Sequence, residues 1–257
     1  MIRSCKYFFL KNPTLIYHCL FFVENEWKTC IDGKCLGPRG NRKYRKVRMD
    51  LNKLQSKIWA TFGVKISSLN SNFFSSLFPK LFNGKLRALT LHRQNIPFKD
   101  FLFISNQMVR ILFNESYVFY PNGDEVPYET IFANLPMIEY FCFKRGNIAY
   151  NFSKTVTELL IIPHFRNLKS LDCIGISQSF DIDKFFQYLK QNKFTRVRFE
   201  FNGQISEEYK EKLEAIVDEI PDAELPRSFL PPYINFVGQL PVKKTALKNL
   251  FDAYYFS

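Results

Sequence analysis

The sequence predicts an α/β fold: a leucine-rich-repeat-like solenoid or arc of strand-helix units with a mostly parallel sheet and a short helical N-terminal remnant. Three observations predict it. Five short apolar runs share an L-x-x-L-x-L-like spacing. The steps between them are close to the ~20–29-residue period of leucine-rich repeats. Most of the intervals hold a segment of helical length with an apolar stripe.

The composition supports a packed core. Of 257 residues 46% are hydrophobic and 17% aromatic, with 29 Phe, which is too apolar for a disordered chain and long enough to bury a sizeable interior. Phe at this density implies that rings occupy positions where most repeats use Leu.

Residues 1–25 read as the closing turns of a helical unit. Phe8, Phe9 and Leu10 are an apolar start broken at once by Lys11, Asn12 and Pro13, short of the ~7–15 apolar residues of a secretory signal. The run from Leu15 to Val23 is interrupted by His18, and no small-residue cleavage pattern follows. The longest charge-free stretches, 66–79 and 228–242, are polar or proline-rich and fall short of the ~18 apolar residues of a membrane span.

Residues 26–60 form a second segment, a hairpin followed by a basic stretch. Asp32-Gly33 is a hairpin-turn signal between Cys30 and Cys35. The six cysteines have no repeated spacing, so free thiols in a reducing compartment, cytoplasmic or nuclear, are expected. One Cys-x4-Cys pair with three histidines in the whole chain makes a poor zinc signal, and no metal or cofactor is expected. The sequons at Asn114 and Asn151 read as chance.

Half of the net charge of +12 falls in RGNRKYRKVR, where Arg39, Arg42, Lys43, Arg45, Lys46 and Arg48 stand within ten residues. Such a run suits phosphate contacts, or equally a solvated loop and a charged strand edge that resists pairing with other chains. Tyr44 is its only aromatic, too few for the stacking platforms of single-strand nucleic-acid binders.

The repeats occupy 61–220. Leu86-x-x-Leu89-x-Leu91, Met108-x-x-Ile111-x-Phe113, Ile138-x-x-Phe141-x-Phe143, Leu168-x-x-Leu171-x-Cys173 and Phe194-x-x-Val197-x-Phe199 are the strands. Their second members stand 22, 30, 30 and 26 residues apart. Between them, Pro127 opens a helix through Ile131, Phe132 and Leu135, and Asp181 caps one through Ile182, Phe185, Phe186 and Leu189. Ser206 caps a third, with Tyr209, Leu213, Ile216, Val217 and Ile220 as its stripe, Glu208 and Lys212 as an i,i+4 pair, and Pro221 as its stop. Residues 221–257 are a proline-rich stretch and a capping helix through Leu247, Leu250, Phe251, Tyr254 and Tyr255.

The segment Ser4-Cys5-Lys6-Tyr7-Phe8-Phe9, followed by Lys11-Asn12-Pro13, resembles the end of an F-box. Together with IPHFRNLKSL (162–171) and FTRVRFEFNGQISEEYKEKLEAIVDEI (194–220), it is similar to the nematode-expanded family of F-box proteins with leucine-rich-repeat-like tails, over roughly residues 45–235. The resemblance implies a tail that presents protein substrates and an F-box that docks a Skp-type adaptor of a ubiquitin ligase. Tyr7, Phe8, Phe9 and Leu10 are then the adaptor-contact candidates. The first part of an F-box would precede Met1, so weak adaptor binding or none is the expectation for residues 1–257.

No Gly-rich phosphate loop, H-E-x-x-H or nucleophile elbow occurs; Gly175-Ile-Ser177-Gln-Ser179 lacks the second glycine, and His92 and His164 read as packed or surface histidines. The sequence therefore points to a non-enzymatic protein-interaction module with an unknown protein substrate and no membrane partner. The alternative is a basic nucleic-acid-associated protein working through residues 39–48.

Overall fold

The computed structural model describes residues 14–30, 44–82, 84–146, 150–223 and 227–254. The chain folds as two compact α/β units, Met1–Val126 and Pro127–Ser257.

The N-terminal unit starts with strands rather than helix. Thr14–Val23 (β1) turns at Glu24 and Asn25, both at positive φ (55° and 56°), into Glu26–Cys30 (β2). Two successive left-handed residues make the tight turn whose twist suits a hairpin. Tyr44–Val47 (β3) pairs antiparallel with β2. The helical reading of the N-terminal segment is thus not shown: residues 1–13 lie outside the description, and 14–23, rich in β-branched and aromatic residues, are strand. Phe22 ties the hairpin inward, with its ring 4.0 Å from Phe73 and 5.0 Å from Trp27.

Lys57–Ser67 (β4) runs parallel to β1. It is followed by Phe73–Leu77 (α1), Ala88–His92 (β5), Asn95–Pro97 (β6), Phe98–Ser105 (α2), Arg110–Asn114 (β7) and Tyr117–Phe119 (β8). The sheet order within the unit is β3-β2-β1-β4-β5-β7, parallel from β1 to β7, and β6 and β8 make a small parallel pair of their own. At Gly63 in β4, a Cβ would lie 2.9 Å from the Ala88 carbonyl oxygen, so only glycine permits this approach of β4 and β5.

Buried amides stitch the turns after the strands. Gln94 is fully buried; its Oε1 accepts the Phe74 N–H (2.9 Å), and its Nε2 donates to the carbonyls of Asn70 (3.0 Å) and Arg93 (2.9 Å). The Gln94 N–H in turn donates to Ser116 Oγ (3.0 Å). Arg93 and Glu115, the residues just after β5 and β7, both adopt positive φ and are 3.0 Å apart as an ion pair.

The C-terminal unit alternates helix and strand throughout. It comprises Tyr128–Ala133 (α3), Tyr140–Lys144 (β9), Thr155–Leu160 (α4), Ser170–Ile176 (β10), Ile182–Gln191 (α5), Arg196–Phe201 (β11), Glu207–Asp222 (α6), Tyr233–Asn235 (β12) and Pro241–Ala253 (α7). Strands β9-β10-β11-β12 pair in chain order, all parallel. Asp181 Oδ1 accepts the Lys184 N–H (3.0 Å) and Ser206 Oγ the Tyr209 N–H (3.3 Å), so both predicted caps form. Pro221 lies inside the last turn of α6, which ends one residue later at Asp222.

Phenylalanine fills this interior. Phe141, Phe143, Phe152, Phe165, Phe180, Phe185, Phe199 and Phe201 are all buried, and most neighbours meet edge-on or tilted, as at Phe180–Phe199 (5.2 Å) and Phe185–Phe199 (5.0 Å), while Phe143 and Phe152 stack (6.1 Å). The last repeat breaks the spacing. Phe194 is 77% exposed and Thr195 takes the inner position, its Oγ1 donating to the Leu168 carbonyl (2.7 Å). Asn192 Oδ1 makes the switch by accepting the N–H groups of both Phe194 and Thr195 (each 2.9 Å).

Arg145 is buried beyond β9. Its guanidinium lies 4.7 Å from the Tyr150 ring centroid, and Nη1 donates to Tyr128 Oη (3.0 Å). Gly175, at φ 88°, holds its backbone against Arg145, where a Cβ would sit 3.0 Å from the Arg145 Cβ. Among the described residues, no helix is long and apolar enough to cross a membrane.

Candidate functional site

Strand alternation sends every second side chain to the sheet face opposite the helices. In the C-terminal unit the parallel register lines these side chains up in rows across the strands. One row is Cys142, Asp172, Arg198 and Tyr233; the next is Lys144, Ile174, Glu200 and Asn235; the third includes Tyr140, Ser170 and Arg196. The inward positions of β11, Val197, Phe199 and Phe201, are buried, while Arg196, Arg198 and Glu200 reach solvent.

Helix α7 closes one side of this face with Lys248, Phe251 and Asp252. The Arg196 guanidinium stacks 3.8 Å from the Phe251 ring centroid and stands 3.8 Å from Asp252 Oδ1, while Lys248 pairs with the same carboxylate. Arg198 pairs with Glu200 and lies 5.7 Å from the Tyr233 ring centroid. These groups other than Glu200, together with Asp172, line a cavity of about 160 Å³.

Burial dominates the electrostatics of this face. Burial raises the Asp172 carboxyl above the usual range, against the opposing pull of Arg198 and Arg196. Burial also pushes the Cys142 thiol up to about 12, with the charge of Asp172 adding to it, so the thiolate needed for nucleophilic attack is withheld at neutral pH. Tyr233 is raised by burial and then by Glu200. The guanidinium groups of Arg196 and Arg198 and the ammonium of Lys248 are thus matched by the carboxylates of Asp252 and Glu200, with Asp172 beside them.

The open face of the N-terminal unit carries Lys65, Thr90, His92, Leu112 and Asn114. His92 Nδ1 is 2.9 Å from Asn114 Nδ2, and burial, then the charge of Lys65, lowers its pKa, so the ring is neutral at pH 7. His164 bonds through Nε2 to the Phe132 carbonyl (2.8 Å), a packing role. Ser177 and Ser179 are likewise tied to backbone, at Tyr150 O (3.1 Å) and the Phe152 N–H (2.8 Å). No group of three or more His, Cys, Asp or Glu able to hold a metal occurs among the described residues. Cys19, Cys142 and Cys173 are free, but Cys30 is disulfide-bonded, which corrects the expectation of six free thiols.

Of the site residues read from sequence, Tyr7, Phe8, Phe9 and Leu10 lie outside the described residues, as do Arg39, Arg42, Lys43 and Cys35. Arg45 falls in β3, opposite Thr29. Lys46 is exposed and engaged by Glu26 Oε1 at 2.5 Å, and Arg48 is exposed just after the strand. Sequence reasoning passed over Asp172, Arg196, Arg198, Lys248 and Asp252. The available signal was charge at alternate positions of FTRVRFEF, which names the wet face of one strand but not its neighbours.

Comparison of the chain with protein-family models, with curated proteins and with solved structures gives no match.

Proposed function

We propose that the chain is a non-enzymatic protein-interaction module: a leucine-rich-repeat-like arc that resembles the substrate-recognition tail of F-box proteins in SCF-type ubiquitin ligases. The observation that supports the reading is the row structure of the open face, where parallel strands in chain order bring charged and aromatic side chains into one solvent-facing array. Stacked strand-helix units bury their apolar faces against each other and leave the strand face free for a partner. A Skp-type adaptor would engage Tyr7, Phe8, Phe9 and Leu10 if the F-box resemblance holds. The alternative is a basic nucleic-acid-associated protein acting through residues 39–48, where Lys46 and Arg48 are exposed.

Photo-crosslinking in cells tests the module. A crosslinker placed at Lys144 or Ile174 on the open face should trap a discrete protein partner, and one at Glu211 on exposed α6 should not. Equal trapping from both faces, or trapping of nucleic acid alone, would refute the reading.

A further inference from the structure

We propose that the open sheet face of the N-terminal unit, where β1 and β4 begin, binds a single-stranded nucleic acid. The inference goes beyond the interaction-module reading, whose array of side chains belongs to the C-terminal unit.

Charge divides unequally between the units. Residues 1–126 carry the whole net charge of +12, and residues 127–257 hold as many acids as bases. Within the first unit, residues 51–99 contain eight Lys or Arg and no Asp or Glu. Among the described residues, the unit's salt bridges use Lys28, Lys46, Lys53 and Arg93 and leave Lys57, Lys80 and Arg87 without a carboxylate. Lys57 Nζ donates to the Pro79 carbonyl and Lys80 Nζ to the Leu54 carbonyl (each 2.7 Å). A neutral carbonyl orients an ammonium and leaves its charge in place. Arg87 is exposed at the entry to β5. Cations without acids are what a polyanion replaces its counterions with.

The rings decide which polyanion. Ile58 and Leu81 form an isolated parallel bridge and are both buried, so alternation turns Trp59 and Phe82 to the open face. Their ring centroids are 5.8 Å apart, and Phe82 is 50% exposed. Ile16, opposite Trp59 in the register of β1 on β4, extends the apolar row and is 46% exposed. Lys57 stands two residues before Trp59 on the same strand. An unpaired nucleotide has a base to lay on a ring and a phosphate to set beside an ammonium. An acidic peptide side chain offers only the charge, and a duplex keeps its base faces in its own stack. This pair of rings also supplies the stacking surface that residues 39–48, with Tyr44 alone, do not.

The experiment is fluorescence anisotropy with the full chain and a fluorescein-labelled oligouridylate of about 12 nucleotides, against a duplex of the same length and an oligoglutamate peptide. The single strand should bind tightest of the three. Phe82→Ala, at a half-exposed position, should weaken it about tenfold with its salt dependence unchanged, and Phe82→Trp should keep full affinity. Lys57→Gln and Lys80→Gln should each flatten the slope of log K against log salt by about 0.7, one phosphate contact apiece. Trp27 is buried, so quenching of tryptophan emission by the bound strand reports a base on Trp59. A merely structural role for these residues would leave the salt slope and the quenching untouched.

Duplex or oligoglutamate that binds as tightly as the single strand overturns the proposal, because charge alone then accounts for binding. So does an unchanged affinity in Phe82→Ala, or tryptophan emission that the strand leaves unquenched. Loss of binding in Lys46→Gln with Arg48→Gln, and not in Phe82→Ala, also overturns it, by moving the strand to the basic segment.

Discussion

Replacing Phe199 by Ala removes a ring at the centre of β11. The side chain is fully buried, with the rings of Phe180, Phe185 and Phe201 at 5.2, 5.0 and 6.4 Å. Strand pairing to β10 on one side and β12 on the other holds the backbone in place, so the hole cannot collapse. Large-to-small core changes of this kind cost about 3–5 kcal/mol, and the fixed backbone places Phe199→Ala in the upper half of that range. Two companions on the same strand segment supply the contrast. Phe194→Ala, at 77% exposure, should cost under about 0.5 kcal/mol. Arg198→Ala should cost about 1–2 kcal/mol, more than an exposed residue, because it strands the partly buried Glu200 carboxylate. Urea denaturation followed by circular dichroism reads all three. Equal losses for Phe199→Ala and Phe194→Ala would mean that the register of β11 is wrong.

Gln94→Ala should cost about 1–3 kcal/mol, since it leaves the buried Phe74 N–H without its acceptor, and the Phe74 amide should lose its hydrogen-exchange protection. Asp172→Asn should raise Tm at pH 7. The Asp172 carboxyl is raised in the fold, so its contribution to stability is fully present below the unfolded pKa and lost as pH rises through the folded value, and the advantage of Asn should vanish near pH 3 in a pH series of melts. Arg196, Arg198 and Glu200 face the same carboxyl and stay in place in that variant. Cys173, fully buried with its thiol held high by burial, should resist alkylation by iodoacetamide at pH 8 until the chain is unfolded in urea, whereas the half-buried Cys142 should label slowly in the native state; mass spectrometry showing rapid native labelling at Cys173 would refute its burial.

What the sequence determined by itself was whatever repeats or alternates locally. The spacing around Leu89, Ile111, Phe141, Leu171 and Val197 marked five strands that are present as β5, β7, β9, β10 and β11, and Asp181 and Ser206 marked two helix starts by their own side-chain oxygens. These signals lie within a few residues of the structure they specify. Tertiary structure decided the rest. Lys57–Ser67 carries no repeat spacing and becomes a strand because β1 and β5 satisfy its backbone from both sides, with Gly63 admitting the close approach. Tyr233–Asn235, in a proline-rich stretch, is a strand only because β11 offers it an edge. The charged cavity is a product of the same non-local pairing. Asp172, Arg196, Arg198 and Lys248 are spread over 77 residues of chain, and only the register of β10 on β11 and the return of α7 bring their charges together around one cavity.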